Sequence, residues 1–90
     1  MKHKSLEYIE YIKEQRGLVC FRDLVDADHL KAIGMGGNRK KPNYKHYTCV
    51  PLCRTHHRER HDLGIQRFEK KHNINLWKES VLLLAKYLET

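Results

Sequence analysis

The run Cys53-Arg54-Thr55-His56-His57-Arg58-Glu59-Arg60-His61 concentrates groups that can bind a metal or move a proton. His57 and His61 are four residues apart. On a helix they share one face, close enough for two imidazoles to hold one ion. Such a pair needs a third ligand, commonly a carboxylate. Asp28, directly followed by His29, can supply it. Two histidines and one aspartate leave coordination positions open for water and phosphate, which is catalytic rather than structural geometry. An isolated H-x-x-x-H pattern is short and also decorates solvated helices. Asp28-His29 upstream, a glycine-rich basic segment between, and Cys53 beside the pair favour the metal reading.

These residues need elements to position them. Residues 3 to 16 read as a helix with Ser5 as a candidate N-cap. Leu6, Ile9 and Ile12 form its apolar stripe, with Tyr8 and Tyr11 beside them, and Gly17 ends it. Leu18 to Phe21 is a short apolar run that reads as a strand, and His29 to Ile33 as a second. Gly34 to Asn43 is a loop by its glycines, proline and charge. Tyr47 to Leu52 has strand composition, with Pro51 expected to end any pairing. Cys53 to Asp62 reads as the helix that carries His57 and His61, broken by Gly64. Ile65 to Lys71 is a short helix. Asn75 is a suitable N-cap for a last helix, Leu76 to Leu88, whose Leu76, Leu83, Leu84 and Tyr87 fall on one face. Trp77 and the C-terminal leucines read as core, or as a face that makes a dimer. His3 and His72 carry no assigned role.

Ninety residues make one domain, and so small a core gains from a bound metal. Eighteen Lys and Arg against eleven Asp and Glu give a net charge of +7. That balance favours a polyanionic partner, nucleic acid before a membrane surface. No stretch of about 18 apolar residues is present, so no transmembrane helix is expected. The start MKHKSLEYIEYIKEQ places charges where a secretory signal needs an apolar run, so a cytoplasmic location is expected. Three cysteines are an odd number, which argues against a disulfide framework and for metal chemistry in a reducing compartment.

Asp28-His29-Leu30, Gly36-Gly37-Asn38, and Val50-Pro51-Leu52-Cys53-Arg54-Thr55-His56-His57 through His61 together resemble the HNH endonucleases, most closely small phage-type members. The motif core covers about residues 18 to 64 of a single nuclease domain over 1–90, with C-terminal helices at about 65–89. The resemblance implies an α+β fold, a ββα-metal centre wrapped by an N-terminal helix and two C-terminal helices. It implies hydrolysis of a DNA phosphodiester with one divalent ion (Mg, Mn, Ni or Zn), in a bacterial or phage-infected cell. Asp28 matches a metal ligand, His57 and His61 match the ligands on the helix, and His29 matches the general base that activates water. A neutral imidazole suits that task at neutral pH. Arg39 or Arg54 could add positive charge at the scissile phosphate.

Three differences from the family pattern matter. Thr48 stands where the middle Asn of the motif is usual, so Asn38 or Asn43 takes that role, or Thr48 itself orients His29. Adjacent strand residues face opposite ways, so Asp28 and His29 share one site only where the strand bulges or ends; Asp26 is the alternative ligand. Relatives often hold a structural zinc with two C-x-x-C pairs. The corresponding positions here are Cys20, Asp23, Cys53 and His56, which either bind a second zinc or pack as a decayed site. Cys49 is offset from this pattern and reads as buried.

Arg39, Lys40, Lys41 and Lys45, with His46, form a basic segment between the motif halves. It is expected to contact DNA phosphates rather than bases. Gly34, Gly36 and Gly37 permit turns. Tyr44 and Tyr47 either stack on bases or pack at the core rim. Two other function classes fit parts of the sequence: a non-catalytic, zinc-stabilised nucleic-acid-binding module, and a small basic protein that packs on a partner. A homodimer would let two single-cut centres act on both strands.

Overall fold

The structure is a computed structural model that describes residues 4–30 and 44–89. The elements run α1 (Lys4–Lys13), β1 (Asp26–His29), a 3-10 turn (Tyr44–Thr48), β2 (Cys49–Leu52), α2 (Arg54–Leu63), α3 (Ile65–His72) and α4 (Leu76–Glu89). Among the described residues this is an α+β architecture, four helices around a two-stranded antiparallel sheet. None of these helices is long and apolar enough to cross a membrane.

Every residue of β2 is buried, and it is the central element of the core. Tyr8 and Ile12 of α1, Phe68 of α3, and Leu76 and Leu83 of α4 pack in the same cluster as Val50 and Leu52. Of the expected α1 stripe, Tyr8 and Ile12 are buried beside Ser5; Ile9 and Tyr11 pack against the core, and Leu6 is exposed. Tyr8 is the centre of an aromatic group, with ring centroids 5.4 Å from Tyr47 and 5.1 Å from Tyr87. Tyr47 is thus a packing residue, whereas Tyr44 is exposed. Leu83, Leu84 and Tyr87 of α4 join the core as expected. Trp77, Leu82 and Leu88 do not; they lie on the exposed side of the helix.

Two strand expectations need correction. Leu18 to Phe21 is a closed turn, not a strand. Phe21 N donates to Gly17 O and Gly17 N to Arg22 O, both at 3.0 Å, and Phe21 takes a left-handed φ of 60°. These backbone groups are satisfied within the turn, so no ladder partner is needed. The first strand is instead Asp26–His29, two acids and a histidine that apolar patterning cannot find. Of the expected strand 29–33, residues 31–33 lie outside the described residues. Pro51 does not end pairing: it sits opposite Ala27, and its carbonyl accepts from Leu18 N at 3.0 Å. A two-stranded sheet is all edge, where a missing N–H is tolerated.

The helix boundaries follow local chemistry. Gly64 has φ 83°, a backbone conformation that L side chains rarely adopt, and it separates α2 from α3. Asn75 Oδ1 accepts from Lys78 N at 3.0 Å and caps α4 as expected. Glu59 ties α2 to α3: its carboxylate accepts from Lys71 Nζ at 2.5 Å and pairs with His72.

Candidate metal centre

The register of the sheet decides which side chains face α2. Asp26, Ala27, Asp28 and His29 pair with Leu52, Pro51, Val50 and Cys49 without a bulge. Alternation therefore puts Asp26 and Asp28 on one side of β1 and His29 on the other. On α2, His57, Arg60 and His61 are three and four residues apart and share the face that meets the two aspartates. His57 N donates to Cys53 O at 2.8 Å, which starts the helix directly after β2. The short β2–α2 junction holds the histidine face against β1.

Three candidate ligand atoms converge there. His57 Nε2 lies 3.4 Å from Asp28 Oδ1, His61 Nε2 lies 3.6 Å from the same oxygen, and the two Nε2 atoms are 3.0 Å apart. Ligands about 2.0–2.1 Å from a tetrahedral ion sit roughly 3.3 Å from one another, so this donor set fits one. Asp28 is fully buried, His57 is half-buried and His61 is exposed, so among the described residues the centre is closed at Asp28 and open at His61.

Asp26, considered above as an alternative ligand, has a different place. Its Oδ2 is 3.0 Å from His57 Nδ1. With the proton on Nδ1 donated to Asp26, the lone pair of His57 is on Nε2, the atom that faces Asp28 and His61. The carboxylate thus holds the ring, and in that tautomer leaves Nε2 able to bind a cation.

Arg60, which the sequence does not single out, is tied into this cluster. Its Nε donates to Asp28 Oδ2 at 2.7 Å and its Nη2 to Asp28 Oδ1 at 2.5 Å. Nη2 also reaches His29 O and His61 Nε2, each at 3.3 Å. Arg60 is buried, and a charge that is buried needs a partner. The only signal for it in the sequence is its place three residues after His57, on the face already assigned to the metal.

His29 is the last residue of β1, and its ring is turned to the 3-10 turn. Its Nε2 lies 2.8 Å from His46 Nδ1. Burial and the nearby charge of Lys45 lower the pKa of His46. Thr48 donates from Oγ1 to Lys45 O at 2.7 Å, which closes the same turn. Asn38 and Asn43, the other residues considered for the motif Asn, lie outside the described residues, as do Arg39, Lys40, Lys41 and the glycines 34, 36 and 37. Lys45 is half-buried in the turn. Arg54 is exposed, 3.8 Å from Asp26 Oδ2. It lines a surface cleft of about 380 Å³ with Asp26, His57, Arg58 and His61.

A second cluster lies at the start of α2. Cys20, Cys53 and His56 come together, with Cys53 Sγ 3.1 Å from His56 Nδ1. Burial opposes ionisation of the Cys20 thiol, but hydrogen bonds from Arg22 backbone and Cys53, with the charge of Arg22, outweigh it and lower its pKa. Gly17 makes room: a Cβ there would lie 3.2 Å from Cys20 Sγ. Asp23 is not in this cluster. It pairs with Arg16 at 3.5 Å, both side chains exposed, because the turn that brings Cys20 inward carries Asp23 outward. Cys49 is buried as expected, and burial first, then the Asp28 charge, push its thiol up to about 12.

A family model described as "Putative HNHc nuclease" matches residues 1–90. The chain belongs to this HNH nuclease family. No curated protein and no solved structure matches the chain. The sheet followed directly by the histidine helix is the ββα arrangement expected of an HNH nuclease, and the family implies a nucleic acid substrate and a metal ion.

Proposed function

We propose that this HNH nuclease is a metal-dependent endonuclease that hydrolyses DNA phosphodiester bonds at the centre built on β1 and α2. The observation that carries this reading is the convergence of Asp28 Oδ1 with the Nε2 atoms of His57 and His61 within 3.0–3.6 Å, on a histidine whose tautomer Asp26 fixes. Asp28, His57 and His61 would hold one divalent ion. When bound, the ion supplies positive charge for the scissile phosphate and the leaving oxygen.

The chain's own residues do the rest. His29 ends β1, and its carbonyl accepts from the same Arg60 Nη2 that holds Asp28, so it adjoins the centre from the strand end; there it takes the proton from water as the water oxygen bonds to phosphorus and the ester P–O bond breaks. Arg54 and Arg58, at the rim of the cleft, attract and align the phosphate backbone. The +7 charge of the chain draws polyanions in general, and the basic segment Arg39, Lys40, Lys41 and Lys45 extends that attraction. DNA as the substrate, the cytoplasm of a bacterial or phage-infected cell as the setting, and pairing of two copies to cut both strands complete the proposal.

A second ion fits Cys20, Cys53 and His56 in a structural role, with water or another side chain as the fourth ligand. A zinc-stabilised binding module without catalysis would use this site alone and would leave Asp28, His57 and His61 without a task. Supercoiled plasmid incubated with the protein and Mg, Mn or Ni, against a chelator control, separates the two. The nuclease reading expects nicked circles that the chelator abolishes. Intact plasmid with every metal, despite bound DNA, overturns it.

A further inference from the structure

His46 lies outside all three groups of candidate metal ligands found among the described residues, on the 3-10 turn Tyr44–Thr48. Its sequence position in a basic segment suggests a phosphate contact. Its environment points inward instead. It is half-buried, its ring centroid lies 5.1 Å from that of His29, and Nδ1 is 2.8 Å from His29 Nε2. The turn that carries it is anchored on both sides, by Thr48 Oγ1 on Lys45 O and by Tyr47 against Tyr8.

Two neutral imidazoles at this distance share one proton, so one ring donates and the other accepts. The direction sets which nitrogen of His29 carries its lone pair. We propose that His46 is the positioning residue for His29: its Nδ1 accepts the His29 Nε2–H and holds His29 in the tautomer with the lone pair on Nδ1. The inference rests on the nuclease reading for its catalytic consequence, but the hydrogen bond is a property of the free protein. Burial first, then the Lys45 charge, lower the basicity of His46, which favours its neutral, accepting form. The proton taken from water then goes to His29 Nδ1, the Nε2 proton stays in the bond to His46, and nothing is oxidised or reduced.

The test uses protein with ¹⁵N-labelled histidine and the variants His46→Ala, His46→Asn and His29→Ala. Asparagine places a carbonyl oxygen close to where His46 has Nδ1, so it can still accept. The expected result is an exchange-protected, downfield His29 Nε2–H proton in the wild type and in His46→Asn, lost in His46→Ala. Plasmid nicking by His46→Ala should fall roughly 10- to 100-fold in kcat, as for other orienting partners, with KM and metal affinity unchanged and His46→Asn restoring most of it. A proton signal that survives His46→Ala overturns the inference. A change in KM alone makes His46 a DNA contact and also overturns it. His46→Ala at wild-type rate beside a dead His29→Ala removes the inference and keeps the nuclease. If no form nicks DNA, the nuclease reading fails, and the proton signal still decides the pairing.

Discussion

Arg60 grips Asp28 through both carboxylate oxygens, Nε to Oδ2 at 2.7 Å and Nη2 to Oδ1 at 2.5 Å, with both side chains at least nine-tenths buried. The pair bridges α2 and β1 and so fixes the carboxylate that two histidines face. It also puts a positive charge beside a candidate metal ligand, which moderates the negative charge of the donor set.

Removing one partner of this pair leaves the other charge buried. Arg60→Met should destabilise the fold by about 3–5 kcal/mol, a large part of the stability of so small a domain. The double variant Asp28→Asn with Arg60→Met should lose much less than the sum of the single losses. Urea denaturation of the four proteins measures this. Additive losses would mean that the two side chains act independently.

The two kinds of cysteine should react differently. Cys20 has a lowered pKa and is half-buried, whereas Cys49 is fully buried with its pKa raised to about 12. The thiolate is the reactive form. Iodoacetamide at neutral pH should therefore modify Cys20 and leave Cys49 intact in the folded chain, as read by peptide mass. Added zinc should protect Cys20 and Cys53, and should raise the Tm of the wild type but not of Cys20→Ser. Equal alkylation with and without zinc would argue against an ion at that site.

The basic segment should bind backbone rather than bases. Neutralising Arg39, Lys40 and Lys41 together should weaken affinity for all duplexes alike. It should flatten the dependence of log K on log salt by up to roughly 0.9 for each phosphate that is no longer neutralised. Binding isotherms at several salt concentrations show this, and an unchanged slope removes these residues from the interface.

The centre is readable in the sequence because H-x-x-x-H on a helix needs no knowledge of tertiary structure, and Asp28-His29 is a local pair. The elements around it are less readable. β1 is short and polar, since its buried side faces a charge network rather than an apolar layer, so hydrophobic patterning misses it. In the turn at residues 17–22, Leu18 and Val19 are apolar because they pack against the core, while Phe21 is exposed, and composition alone reads such a run as a strand. The roles of Arg60 and Asp26 are hidden for a related reason. A buried arginine and a ring-orienting carboxylate are defined by partners about thirty residues away in the chain, which spacing cannot supply.

The proposed mechanism divides the work between His29 as general base and Asp28, His57 and His61 as metal ligands. Calorimetric metal titration beside plasmid-nicking rates on single variants measures this division. His57→Ala, His61→Ala and Asp28→Ala should each lose metal affinity, with activity partly recovered in excess metal. Asp26→Asn should weaken metal binding by roughly 10- to 100-fold, as an orienting partner does. His29→Ala should bind metal and DNA as the wild type does, while its nicking rate falls by roughly 10²- to 10⁴-fold, the loss expected of a general base. His29→Ala that nicks DNA at the wild-type rate would contradict the account.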